Sequence, residues 1–353
     1  MSESGSLSPQ SRVAVLLHGG LLRDQGKTGL SLLRYGQFQV VAVIDREQAG
    51  GSLTELTGIP KAIPIVASVA EALAYQPEIL AIGIAPSGGQ LPQEWREELL
   101  SALRGGLSLV NGLHTPMAQD QQFKACLRPG AWIWDIRQEP PGLSVGRAMA
   151  RTLACKRVLT VGTDMSVGKM STSLELHQAS LRQGLRSRFL ATGQTGIMLS
   201  GDGIPLDAVR VDYASGAVEQ LVMRYGPDHD ILHIEGQGSL LNPSSTATLP
   251  LIRGSQPTHL ILVHRAGQTH IKGMDYVPIP PLPQVIDLYT RVATAAGAFA
   301  PVPVAGIALN TFGWEESAAR EHLAQVEAET GLPCTDVVRF GADPLLRQIL
   351  TEG

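Results

Sequence analysis

The sequence predicts an α/β protein made of two successive domains, each built on a parallel sheet. Three observations predict it. Short runs rich in Val, Ile and Leu alternate with longer segments of helical period. The alternation stops at Pro140, Pro141 and Gly142 and then starts afresh. In each half the first apolar run leads into a glycine-bearing loop and then a helix. A chain of 353 residues can support two cores. We expect a first domain over 1–150, with a frayed polar tail over 1–12, and a second over 151–353.

In the first half, strands are expected at 13–17, 40–44, 79–84 and 107–110, with helices at 28–35, 69–75 and 95–104. Strands separated by helices imply right-handed crossovers and a parallel sheet. The first strand exits into a string in which five residues separate Gly20 from Gly26, followed by Lys27 and Thr28. The second strand ends in Asp45, where dinucleotide-binding folds place a ribose-binding acid. The string lacks a full GxGxxG and Arg46 follows the acid. The plain alternative is a helix start with a solvated Lys27.

In the second half, a strand at 157–161 precedes a helix over 169–183, with Gly184 as its C-terminal cap. Further strands are expected at 187–191, 231–235, 260–263 and 304–309. A helix over 314–330 ends at Gly331, Leu332 and Pro333. The stretch VPIPPLPQ, 277–284, reads as a stiff loop.

The loop between the first strand and helix of this half, GTDMSVGKMST, carries the chemistry. Gly162 and Gly168 let the backbone curl so that successive N–H groups face an anion. The helix N-terminus adds partial positive charge and Lys169 a full one. Thr163, Ser166, Ser171 and Thr172 supply hydroxyls around that curl. The usual phosphate loop is GxxxxGK followed by Ser or Thr. Here five residues separate the glycines, and Met170 follows the lysine. Ser171 points about 100° away from position 170 on a helix, displaced from the usual magnesium-binding hydroxyl. The loop is therefore suited to holding phosphates and less suited to cleaving them. Asp164 within it is unusual for pure phosphate binding, because like charges repel. It fits a partner for a substrate amine or a bound cation.

Ligands of open α/β sheets gather at the carboxyl ends of strands. Glu235 stands at one such end, as an acid for magnesium or water, a base for an amine, or a helix cap. His233, mid-strand, reads as a satisfied core residue. The strand at 260–263 ends in His264 and Arg265, and Lys272 follows in the loop. These are candidate substrate contacts, with Arg265 and Lys272 able to clamp a carboxylate or phosphate. Asn310 ends another strand and offers the donor and acceptor that an adenine edge requires, or else caps the next helix. Asp212 is a weaker candidate for a substrate amine. His259, His264 and His270 lack tight spacing, and no metal site is expected.

Composition excludes several classes. Charged residues make up 17% and hydrophobic residues 44%, as in a globular chain. A net charge of -4 gives no pull toward nucleic acid or an anionic membrane. No apolar run approaches the roughly 18 residues of a membrane span, and the polar start lacks the apolar stretch of a signal peptide. The three cysteines, far apart, fit reduced thiols in a cytoplasmic protein.

These residues carry a resemblance. GTDMSVGK resembles the loop of dethiobiotin synthetase, HIEGQGS its second acidic motif, and GIALN its adenine-side strand. The likeness breaks at Met170, where that enzyme has threonine. GKTGLSLLRYG (26–36), GTDMSVGKMST, IEGQGSL and the HRAG loop together resemble a bacterial family formerly of unknown function. That family joins a Rossmann-like N-terminal domain to a P-loop NTPase-like, dethiobiotin-synthetase-like domain, and includes D-glutamate N-acetyltransferases. The resemblance implies an N-acetyltransferase moving acetyl from acetyl-CoA to an amino acid amine. The loop would hold the cofactor, Glu235 or Asp164 would act as base, and Lys169 would stabilise the oxyanion. Two alternatives stand: an ATP- and magnesium-dependent ligase of the dethiobiotin synthetase type, and a non-catalytic nucleotide-binding protein. The expected partner is a small-molecule substrate, and a homo-oligomer is the default assembly.

Overall fold

In the computed structural model, which describes residues 7–84, 89 and 91–351, the apolar runs become two separate parallel sheets of six strands each. The first unit takes the chain up to Gln138 together with Ile197–Pro205, and the second takes Glu139–Gly196 and Leu206–Gly353.

The first unit runs β1 (Arg12–Leu16), α1 (Lys27–Tyr35), β2 (Gln39–Ile44), α2 (Leu53–Thr57), β3 (Ile65–Val66), α3 (Val69–Ala72), β4 (Ile79–Ile82), α4 (Gln93–Arg104), β5 (Ser108–Asn111), α5 (Gln121–Cys126) and β6 (Ile133–Asp135). The strand order is β3-β2-β1-β4-β5-β6. The apolar faces of β1, β2 and β4 pack on Trp95, Leu99 and Leu103 of α4 and on Phe123 of α5. The short β3 and β6 were not expected, since two or three residues are too few to show a period. Residues 7–11 form a turn in which Ser11 N–H donates to Ser8 O at 3.0 Å, and Arg12 opens β1. Order thus begins inside the tail expected over 1–12, of which residues 1–6 lie outside the described residues.

Asp45 is engaged within the first glycine string. Its buried carboxylate accepts the N–H groups of Gly19 at 3.1 Å, Leu21 at 3.3 Å and Glu47 at 3.0 Å. The acid braces the β1–α1 turn from within, and Lys27 is the first residue of α1.

The second unit runs β7 (Lys156–Gly162), α6 (Lys169–Arg182), β8 (Ser187–Leu190), the start of α7 (Gln194–Ser200, whose residues from Ile197 on belong to the first unit), α8 (Val211–Tyr225), β9 (Ile231–Ile234), α9 (Thr248–Ser255), β10 (His259–Arg265), β11 (His270–Ile271), β12 (Met274–Pro278), α10 (Leu282–Thr294), β13 (Val304–Asn310), α11 (Glu316–Thr330), β14 (Cys334–Thr335) and α12 (Asp343–Thr351). The order is β14-β13-β10-β7-β9-β8, so β7 is central. Leu176 and Ala179 of α6 join Leu345, Leu346 and Ile349 of α12 against Val158, Ile261 and Ala308 of the sheet. No helix among the described residues is long and apolar enough to cross a membrane.

Two expectations are corrected. The junction was placed after residue 150, but residues 139–150 group with the second unit. The buried Glu219 of α8 holds them there by accepting the N–H groups of Arg147 at 3.0 Å and Met149 at 2.7 Å, and Glu139 pairs with Arg210 at 2.7 Å. The Pro-rich stretch 277–284 is not a loop throughout. It completes β12 at Pro278 and begins α10 at Leu282, with Pro281 as N-cap and Pro283 in the first turn. Proline suits a first helical turn, where its missing N–H would have no partner and its fixed φ is already helical.

Candidate functional site

The strand β7 delivers Gly162 into the phosphate-type loop at the centre of the sheet's carboxyl edge. Three contacts fix the loop's start. Thr163 N–H donates to Val263 O at 3.1 Å, and Thr163 Oγ1 pairs with His264 Nδ1 at 2.9 Å. Tyr289 donates its buried hydroxyl to Gly162 O at 2.7 Å while accepting Leu240 N–H at 3.1 Å. Gly168 closes the loop at φ 120°, a conformation side chains rarely adopt, and Lys169 starts α6. The N–H groups of Val167, Gly168, Met170 and Ser171 donate to no group among the described residues. They form a row of unspent donors at a helix N-terminus, the arrangement that binds anions. The buried Lys169 Nζ donates to Asp164 O at 2.7 Å, so the ammonium folds back across the curl. Ser171 Oγ makes no hydrogen bond among the described residues, whereas Thr172 Oγ1 is spent on Gly168 O at 3.1 Å. Ser166 is exposed at the loop's outer turn with φ 58°.

Asp164 is buried and fully engaged. Its Oδ1 accepts Met165 N–H at 2.6 Å and Asn242 Nδ2 at 2.7 Å; its Oδ2 accepts Gln268 Nε2 at 2.7 Å and Lys272 N–H at 2.8 Å. Burial alone would raise its pKa, but the hydrogen bonds from Lys272, Asn242, Met165 and Gln268 outweigh it and hold the carboxyl below the ordinary value. A carboxylate so stabilised is a poor base. It ties the β11–β12 hairpin and the segment after β9 to the loop.

Glu235, directly after β9, behaves oppositely. Burial pushes its carboxyl up to about 7, against the N–H groups of Thr192 and Gly193 and the charge of Lys169, with Asp207 adding to the rise. Oε2 accepts Thr192 N–H at 2.9 Å and Gly193 N–H at 3.1 Å, and Oε1 accepts Gln237 Nε2 at 3.0 Å. Next to it, a Cβ on Gly236 would collide with Thr160 O and come within 3.0 Å of Lys169 Cδ. Only glycine lets β9 exit close enough to set the carboxylate and the lysine stem side by side. A carboxyl that titrates near neutrality can both take and return a proton.

The remaining candidates divide. Arg265 ends β10 in register with Asn310, one strand from β7, and makes no ion pair among the described residues. Lys272 reaches the cluster through its backbone N–H, while its side chain is exposed. His264 was expected among substrate contacts but is buried against Thr163, and burial, with His322 adding a little, pulls its pKa down to about 4. Neutral at ordinary pH, it offers no positive charge to a carboxylate. The Asn310 amide is occupied, with Nδ2 donating to Val167 O at 3.0 Å and Oδ1 accepting Phe312 N–H at 3.0 Å. Asp212 sits exposed in the first turn of α8. Among the described residues no group of three or more His, Cys, Asp or Glu could hold a metal ion.

Residues 144–346 match "Domain of unknown function (DUF1611_C) P-loop domain", and residues 46–139 match "Domain of unknown function (DUF1611_N) Rossmann-like domain". The chain belongs to the DUF1611 family. Its two units are accordingly a Rossmann-like domain followed by a P-loop domain. A DUF1611 family protein from Anabaena variabilis of known crystal structure is 64% identical, with a TM-score of 0.96 over 97% of this chain and 100% of that one. Two further relatives are each named D-glutamate N-acetyltransferase. One, from Tritonibacter scottomollicae, is 38% identical across 78% of this chain and 82% of its own. The other, from a Pseudoalteromonas species, is 35% identical across 80% and 84%.

Sequence reasoning missed Tyr289, Asn242, Gln268 and the Thr192–Gly193 backbone. No local pattern marks them, because each reaches the DUF1611 loop or its glutamate from at least 42 positions away. One signal was available: two glycines flank Gln237, and Gln237 itself touches Glu235.

Proposed function

We propose that the chain transfers an acetyl group from acetyl-CoA to the amine of a small amino acid, with D-glutamate the first acceptor to try. The names of the two curated relatives support acetyl transfer to an amine. The observation that carries the reading on this chain's own residues is Glu235, a buried carboxyl titrating at about 7 beside Lys169. A base of that strength can take the proton an amine loses as it attacks a thioester.

The residues present suit the cofactor's phosphates. Binding an anion requires donors without other work, and the amides of Val167, Gly168, Met170 and Ser171 meet that condition, joined by the Ser171 hydroxyl and the Lys169 charge. The chemistry balances without a metal or nucleotide cleavage. The amine nitrogen bonds to the thioester carbonyl carbon, the C–S bond breaks, and the thiolate leaves with the bonding pair. The amine proton goes to Glu235, which then releases it to the thiolate or to water. Lys169 and the loop amides can offset charge developing on the carbonyl oxygen. Arg265 is the cation in this reading for an acceptor carboxylate. Asp164 holds the loop's shape and takes no proton.

The deciding experiment supplies acetyl-CoA with a panel of D- and L-amino acids and follows free thiol. In parallel, ATP and magnesium are supplied and phosphate is followed. Thiol release dependent on an amino acid supports acetyl transfer. Phosphate release with any acceptor replaces the reading with the ATP-dependent ligase. Silence in both, with nucleotide binding intact, leaves a binding protein.

A further inference from the structure

The opposite edge of the second unit's sheet carries a feature that the phosphate loop does not use. Around the amino ends of β7, β10 and β13 lies a cavity of about 590 Å³, within the range of small-molecule sites. Phe299, Pro301 and Val302 give it an apolar wall, and Arg151, Lys156 and Arg157 bring cationic side chains. None of its lining residues is acidic.

Arg157 is the informative group. Only 5% of it is exposed, and it pairs with no carboxylate among the described residues. Its Nε donates to Gln256 O at 2.8 Å, and its Nη1 donates to Leu153 O at 2.9 Å and Cys155 O at 2.8 Å. These carbonyls fix the guanidinium's orientation but supply no negative charge. The guanidinium also hydrogen-bonds to the Cys155 thiol, a neutral partner. Nη2 donates to no oxygen among the described residues, and Arg157 lines the cavity. A buried charge without a counter-ion is costly, and proteins ordinarily pair it. The nearby Cys155 does not serve, since burial raises its thiol's pKa and keeps it neutral.

We propose that this cavity is a second ligand site, taking a small carboxylate with an apolar body whose anionic end is held by Arg157. Arg157 lies five positions before Gly162 on β7, so the two sites sit at opposite ends of one strand, roughly 17 Å apart. The new site is independent of what the phosphate loop binds.

The test measures thermal stabilisation and calorimetric binding of the full chain with acetate, butyrate, hexanoate and benzoate, and with hexanamide as the neutral control. Hexanoate and benzoate should bind saturably, acetate more weakly, and hexanamide not at all. Arg157→Met should weaken hexanoate binding by about ten- to a hundred-fold, the loss of one or two charge-assisted hydrogen bonds. Ala300→Trp, at an exposed lining position, should block it by filling the mouth. Lys169→Ala should leave it unchanged. Absence of saturable binding by every carboxylate overturns the proposal, as does binding that survives Ala300→Trp. The second variant decides the matter if Arg157→Met does not fold.

Discussion

Replacing Glu235 with glutamine isolates the cost of its charge from its other contacts. The amide oxygen can keep the N–H groups of Thr192 and Gly193, and the Gln237 amide can turn to accept from the new NH2. The carboxyl titrates at about 7 in the folded chain against an ordinary 4.5. Between those values the folded state binds more protons than the unfolded state, so stability falls as pH rises through that window. The stabilisation is fully present below the ordinary value and is lost once pH passes about 7, in all about 3 kcal/mol. Glu235→Gln should therefore gain about 2 to 3 kcal/mol on the wild type between about pH 5 and about pH 8. Urea unfolding of both proteins at the two pH values reads this directly, because titrating groups that do not interact with Glu235 cancel in the difference. The same variant should lose about a hundred-fold or more in kcat, and wild-type kcat/KM should climb as pH rises through about 7. A stability difference that is equal at both pH values would refute the raised carboxyl. Full activity in the variant would refute its role as base.

Other perturbations test the surrounding parts. Lys169→Ala should cost about thirty-fold or more in acetyl-CoA affinity by calorimetry, whereas Lys27→Ala should leave it unchanged; the reverse ranking would move the cofactor to the first unit. Asp164→Asn puts an NH2 where donors now converge and should cost about 2 kcal/mol in urea unfolding at neutral pH. Because that carboxyl titrates below its ordinary value, its contribution is present at neutral pH and lost in acid. The variant should thus approach the wild type as pH falls. Limited proteolysis should cut the 270–278 hairpin sooner in Asp164→Asn, and equal cutting would deny the tether. Gly236→Ala should cost at least about 4 kcal/mol, because the new methyl meets Thr160 O inside the sheet; a soluble variant of wild-type stability would show that β9 can exit by another path.

Much of this was legible in the residues. The two-fold restart of the pattern, β7 running into the loop, and Glu235 closing β9 all follow from short-range signals. Other parts required the folded chain. In sequence Asp164 is an acid within the loop and Glu235 one at a strand end, yet the first collects four hydrogen bonds and the second is lifted by burial. That contrast depends on Asn242, Gln268 and Thr192, brought in by crossovers whose geometry no local period encodes. The helix α8 escaped because Val211, Tyr213, Ser215 and Gly216 weaken its helical signature. The proline run misled because the same residue that breaks a helix interior is at home in its first turn.

The four-fold grip of Asp164 has a consequence for how a ligand would meet this loop. Curled loops ordinarily stiffen as an anion arrives, and that ordering subtracts from affinity. Here a side chain of the loop already splints it to a hairpin and to a neighbouring crossover, so most of the ordering is complete when the polypeptide folds. Affinity would then be tunable from afar: a change in hairpin residues that never touch a phosphate could slacken the splint and release cofactor faster, with every contacting group intact.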